Sequence, residues 1–111
     1  MIRTVADFTA LAAAPGVNSP LLGIRYLVRA DAQPALRIGI AASKKVGGAV
    51  VRNRIRRRLK VAARELAAQV RPGTDALIGV RPAAAAASSA ELRAALNDCF
   101  RRAKLLVASE S

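Results

Sequence analysis

The chain has no histidine and no tryptophan, a single cysteine, and only Phe8, Tyr26 and Phe100 as aromatic residues. Without histidine it lacks the commonest general base and the commonest imidazole metal ligand. One cysteine, Cys99, excludes an internal disulfide and a thiolate metal cluster, and it fits a reducing cytoplasm. The seven acidic residues are scattered, with no pair set at a motif spacing for two-metal phosphodiester chemistry. No run of about 18 apolar residues is present, so no membrane span is expected. The N-terminus shows no basic head followed by an apolar stretch, so no signal peptide is expected. Gly47-Gly48 precedes a helical pattern, but no Walker sequence surrounds it. These absences leave a polypeptide with no visible machinery for hydrolysis.

What is abundant is positive charge. Nineteen Lys and Arg stand against seven Asp and Glu, a net +12 over 111 residues. All of the cations except Lys44, Lys45, Lys60 and Lys104 are arginine, whose planar fork suits phosphate oxygens and base faces. A charge so far from zero strains a compact fold by self-repulsion, and a polyanionic partner relieves it. The length suits one domain, residues 1–111, with a core of Leu, Ile, Val and Ala.

Along the chain, Thr4 to Ala13 reads as a short helix with Thr4 as cap and Asp7 in its first turn, stopped by Pro15-Gly16. Leu22 to Ala30 alternates, with Leu22, Ile24, Tyr26 and Val28 on one side and Gly23, Arg25 and Arg29 on the other. Leu36 to Ala42 alternates again, and Asp31 to Pro34 reads as the turn of a hairpin between the two. A basic connection from Ser43 to Gly48 leads into a long helix over Ala49 to Gln69. There Val51, Ile55, Leu59, Ala62, Leu66 and Val70 share one face, and Arg71-Pro72-Gly73 stops the run. Asp75 to Val80 reads as a strand and Ala83 to Ala87 as an alanine-rich connector. Ser88 and Glu91 have capping-box spacing, and the helix they open carries an apolar stripe of Leu92, Leu96, Cys99, Phe100 and Leu106. Cys99 is read as a core residue. The order favours an α+β sandwich with helices against one sheet.

The long helix carries the functional signal. From Lys44 to Arg64 there are nine basic residues and no acidic one. At about 100° per residue, Asn53, Arg56, Arg57, Lys60 and Arg64 project away from the Val51-Ile55-Leu59 stripe, with Arg54 and Arg58 nearer the boundary. Like charges four apart, such as Arg52 with Arg56 and Arg56 with Lys60, cost a few tenths of a kcal/mol per pair. That cost is poor design for a merely solvated face and is intelligible if phosphates supply the anions. Asn53 adds an amide that both donates and accepts. A basic amphipathic helix can also lie on a membrane, but this stripe has no Trp or Phe and is needed for the domain's own core. No membrane partner is therefore expected. A structural RNA-binding protein, such as a ribosomal one, satisfies the same composition, and a free-standing metal-dependent nuclease is the third alternative.

The contiguous segment from Arg37 to Arg57, which runs from a strand through Ser43-Lys44-Lys45 into Arg52-Asn53-Arg54-Ile55-Arg56-Arg57, closely resembles the signature of the bacterial ribonuclease P protein family. Weaker resemblance extends over the chain, through Asp7-Phe8, Tyr26, the Asp75–Pro82 strand and the last capped helix. The resemblance implies a single α+β domain with a four-stranded sheet and three helices, in the order αβββαβα, with a left-handed crossover. It places an extra short strand near Gly16 to Ser19. It also implies an auxiliary subunit of an endoribonuclease that trims the 5′ ends of precursor tRNAs, with hydrolysis performed by an RNA subunit.

Carried over residue by residue, Arg52, Asn53, Arg54, Arg56, Arg57, Lys60 and Arg64 would face the catalytic RNA, with Lys44 and Lys45 in the adjoining turn. Phe8 and Tyr26 match positions associated with a cleft for the single-stranded 5′ leader; a core role for either remains open. No cofactor is expected on the protein itself, and Mg2+ would be needed by the RNA-containing holoenzyme. The sequence departs from the family pattern at Ala12, where a second aromatic is frequent, and at Val61, where an acidic residue is frequent.

Overall fold

A computed structural model describes residues 15–28 and 36–106. The helix expected over Thr4–Ala13, Phe8 within it, and the turn expected at Asp31–Pro34 lie outside the described residues. Four strands, β1 (Gly16–Asn18), β2 (Leu22–Val28), β3 (Arg37–Ala42) and β4 (Thr74–Val80), form one mixed sheet in the order β1-β2-β4-β3. Two helices, α1 (Ala49–Leu66) and α2 (Ser89–Arg102), complete an α+β domain among the described residues.

The hairpin expected between β2 and β3 does not form. β4 lies between them, antiparallel to β2 and parallel to β3. The chain leaves β3, crosses through α1 and returns as β4 beside it. Alternation within β2 and β3 says which residues face the core, not which strand is the neighbour. The central place goes to β4, whose Thr74, Asp75, Ala76, Ile78 and Val80 are all buried. Ala76-Leu77-Ile78 is a continuous apolar run at its centre.

Register sorts the sheet into two faces. Val17, Ile24, Ile78 and Ile40 form one transverse row, on the core side. Against it pack Ile55, Leu59, Ala62, Ala63 and Leu66 of α1 and Leu92, Leu96, Cys99 and Phe100 of α2. Burying a Leu or Phe side chain contributes about 1.5–3 kcal/mol, so this layer is where the domain's stability lies. On the other face the adjacent rows read Asn18, Gly23, Gly79, Ala41 and Gly16, Arg25, Leu77, Gly39. Four glycines among these eight positions leave that face low.

α1 is shorter than the apolar periodicity predicts. Its α-hydrogen bonding ends at Leu66, and Ala67–Gln69 continue as a 3-10 turn. Val70 is buried, but as an isolated bridge to Leu106 rather than on the helix. Leu106 accordingly sits beyond α2 and not on its stripe. The alanine-rich connector is ordered as a 3-10 turn over Pro82–Ala86, with Ala84 fully buried. The capping box is formed: the Glu91 N–H donates to Ser88 Oγ at 3.1 Å and the Ser88 N–H donates to Glu91 Oε1 at 2.8 Å.

Candidate nucleic-acid interface

The basic surface is built outward from how α1 begins. After β3 the chain turns at Ser43–Val46, closed by the Val46 N–H donating to the Ser43 carbonyl at 3.0 Å. Val46 is buried and anchors the turn, while Lys44 and Lys45 are exposed at its tip. Gly47 has φ +153°, and a Cβ there would stand 3.1 Å from the Val51 side chain. Glycine is the residue that tolerates both conditions. Gly48 is the N-cap, with no side-chain cap and no acidic residue in the first turn. The positive end of the helix dipole therefore meets no carboxylate of its own.

With Ile55, Leu59, Ala62, Ala63 and Leu66 pinned to the core, the opposite face of α1 must point outward. Asn53, Arg57, Lys60 and Arg64 are exposed, and Arg52, Arg54, Arg56 and Arg58 are half-buried. The half-buried arginines lie along the protein before reaching solvent. Arg54 Nη2 donates to the Ala85 carbonyl at 3.3 Å and Arg58 Nη1 to the Ala87 carbonyl at 3.4 Å. Arg56 Nη1 donates to Asn53 Oδ1 at 3.3 Å, across one helical turn. The Nε atoms of Arg52 and Arg54 are shielded and have no hydrogen-bond partner among the described residues.

No carboxylate among the described residues neutralises this face. Asp75 is held by Arg37 through two bonds of 2.6 and 2.8 Å across the β3–β4 pair. Asp98 binds Arg101 and Arg102 on α2, Glu91 caps α2, and Glu65 pairs with Arg93 at 3.1 Å. The field of Lys44, Lys45, Arg52, Arg54, Arg56, Arg57, Lys60 and Arg64 is thus left for an external anion. All these candidate residues, with Asn53, belong to one turn and one helix.

Tyr26 is placed elsewhere. It is half-buried, packs against the core, and its cross-strand partner Ala76 is fully buried. Its ring side is that of Leu22 and Ile24. The low face of the sheet instead carries a groove of about 370 Å³, lined by Asn18, Gly23, Arg25, Leu77, Gly79 and Arg81, among others. Arg81 Nη2 donates to Asn18 Oδ1 at 2.7 Å, fixing both at the rim. Neither Arg25 nor Arg81 follows from motif reading. The available signal was the parity of Arg25, out of phase with Leu22 and Ile24, together with the glycines beside it.

Among the described residues no group of three or more acidic, Cys or His side chains is placed to hold a metal ion. No helix among them is long and apolar enough to cross a membrane.

A sequence model of the family described as Ribonuclease P matches residues 1–104. The ribonuclease P protein component of Shouchella clausii is 39% identical over 83 residues, covering 75% of this chain and 68% of the relative. That of Lactiplantibacillus plantarum is 38% identical over 81 residues, covering 73% and 71%. Among solved structures, the Staphylococcus aureus RNase P protein superposes with a TM-score of 0.85 at 23% identity, covering 95% of each chain. The Thermotoga maritima RNase P protein does so with a TM-score of 0.78 at 19% identity, covering 91% of this chain and 94% of the other. Matched over nearly its whole length, with this sheet and this basic helix, the chain belongs to the ribonuclease P protein family.

Proposed function

We propose that this chain is the protein subunit of a bacterial ribonuclease P and assists endonucleolytic removal of the 5′ leader from precursor tRNA. The observation that carries the reading is the unneutralised basic face of α1, formed by the very segment that bears the family motif. Its partner is the catalytic RNA. Lys44, Lys45 and the outward cations of α1 replace the counterions around RNA phosphates, which supplies affinity with little sequence preference. Asn53 adds a donor and acceptor for a sugar or base edge.

Hydrolysis and its Mg2+ belong to the RNA in this scheme, and the holoenzyme works in the cytoplasm. An N-terminal helix completes the αβββαβα order, with a left-handed β3–α1–β4 crossover. The leader lies along the low face of the sheet. Phe8 is retained as a stacking candidate for that cleft. For Tyr26 the core side of β2 is the better description, and Arg25 and Arg81 face the leader in its place. Arginine planes stack on unpaired bases as aromatic rings do.

The deciding experiment adds the purified chain to a bacterial ribonuclease P RNA at low Mg2+ and follows precursor-tRNA cleavage. Rescue at the correct 5′ site is expected. Absence of rescue favours a structural RNA-binding role, and cleavage by the protein free of RNA favours a free-standing nuclease. The same assay tests the leader path. A Cβ at Gly79 would meet nothing nearer than a carbonyl oxygen at 4.0 Å, so Gly79→Leu fills the groove without a backbone clash. It should raise KM for precursor tRNA at least severalfold and leave affinity for the RNA subunit unchanged. An unchanged KM places the leader elsewhere.

A further inference from the structure

The low face of the sheet has two ends. Its row Asn18, Gly23, Gly79, Ala41 crosses all four strands, about 14 Å at the usual strand spacing. Just beyond Ala41 the chain enters the turn that carries Lys44 and Lys45. At the other end the row stops at Asn18, the last residue of β1, on the edge of the sheet. That edge is cationic. Arg81 Nη2 donates to Asn18 Oδ1 at 2.7 Å from the groove side. Arg102, the last residue of α2, reaches round from the helical side, and its Nη2 donates to the Asn18 carbonyl at 2.7 Å. Two guanidiniums thus converge on one residue from opposite sides of the sheet. Their Nη1 groups make no hydrogen bond among the described residues. Arg101, 71% exposed, shares Asp98 with Arg102, at 2.7 and 2.9 Å. Asp98 is the only carboxylate bonded to the cluster among the described residues, so three cations meet one anion. Cations in the last turn of a helix complement its dipole. That accounts for Arg101 and Arg102 in α2, but not for Arg102 leaving its helix to bind the backbone of β1.

We propose that this cluster is a phosphate site for the upstream part of the 5′ leader, which leaves the groove over β1 and is held there between Arg81 and Arg102, with Arg101 next in line. The inference rests on the reading that the leader lies along the low face, and extends it past the edge of the sheet to the end of α2. Continuity favours RNA as the occupant. A strand that comes in beside the Lys44–Lys45 turn and crosses the row reaches solvent at the β1 edge, where these cations stand. The chemistry agrees. Planar guanidiniums match phosphate oxygens, and both are already fixed by bonds to Asn18, so little freedom is lost when a phosphate arrives. Phosphate contacts carry no sequence information. The site therefore adds affinity according to the length of the leader and not its composition.

The test uses holoenzyme reconstituted from the full chain and ribonuclease P RNA, with precursor tRNAs whose leaders are about two, five and ten nucleotides long. In the parent, KM should fall from the five- to the ten-nucleotide leader; a plateau at five overturns the proposal. Arg102→Gln removes the charge and keeps a polar amide. It should raise KM about fivefold for the longest leader, whatever its upstream sequence, and stay within about twofold of the parent for the shortest. An equal rise at every length overturns the proposal. If Arg102→Gln matches the parent at every length while Gly79→Leu raises KM, this inference fails and the leader path along the low face stands. If neither raises KM, both fail. Circular dichroism checks the fold. Were Arg102→Gln to lose it, Asp98→Asn decides: removing the one carboxylate should lower KM at least twofold for the longest leader and not for the shortest. Misfolding cannot mimic that gain, and its absence overturns the proposal.

Discussion

At Cys99 the relation between sequence and position is closest. The residue falls on the apolar stripe of α2 and is fully buried, as are Leu92, Leu96 and Phe100 of the same helix. Burial pushes the thiol above its ordinary value of 9.0, and the neighbouring Ser19 hydroxyl and Arg102 guanidinium oppose that shift without cancelling it. An acid whose folded pKa is raised contributes stability that is complete below the unfolded value and lost as pH rises through the folded one. Cys99 should therefore weaken the fold only above about pH 9. At pH 8 its reaction with a thiol reagent should proceed no faster than unfolding, whereas a fast stoichiometric reaction would place the thiol outside the core. The same scale separates Tyr26 from its neighbour Arg25. Tyr26 and Arg25 are adjacent, and a strand sends neighbours to opposite faces. Tyr26 shares parity with Leu22 and Ile24 and goes with them to the core, so the groove received arginine rather than an aromatic ring.

At the scale of elements, short-range chemistry explains what was legible. The Ser88–Glu91 box opens α2 because both partners lie within one turn, and the three- and four-residue spacing of Ile55, Leu59 and Leu66 predicts the buried face of α1. Ends without a specific cap were harder. α1 stops at Leu66, because apolar spacing continues through Val70 while the backbone has already tightened. β1 is three residues long, Gly16-Val17-Asn18, and exists only through its pairing with Ile24 and its neighbours. The end of α2 is a Schellman turn: the Leu105 N–H donates to the Phe100 carbonyl and the Lys104 N–H to the Arg101 carbonyl, both at 3.0 Å. Lys104 adopts φ 60° to make it, and Leu105 returns into the core. A side chain in the left-handed region costs about 1 kcal/mol or more. Lys104→Gly should relieve it, partly offset by glycine's greater freedom in the unfolded chain. A net gain of about 0.5 kcal/mol in urea denaturation is expected, and a loss would show that the lysine side chain stabilises the turn.

Over the whole molecule, charge and topology part company. The excess of cations was plain from composition, and its concentration between Lys44 and Arg64 was plain from order. The five exposed cations Lys44, Lys45, Arg57, Lys60 and Arg64 should each release a counterion, so affinity for the RNA should fall with salt at a log–log slope of about −4. A nearly flat response in filter binding would remove electrostatics as the basis of association. Topology was not legible in this way. Alternation in Leu22–Val28 and Arg37–Ala42 suggested a hairpin, yet β4 separates them, because strand order depends on contacts far apart in sequence. The glycine-floored groove likewise required Gly23 and Gly79 to be brought opposite each other. By itself the sequence determined the local features: helix faces, the α2 cap, the buried cysteine and the unbalanced cationic run. Each of these depends on residues within a turn or two of one another. Tertiary structure alone decided which strand is central, which face of β2 is open and what shares a groove, since those depend on packing between segments whose separation no local pattern records.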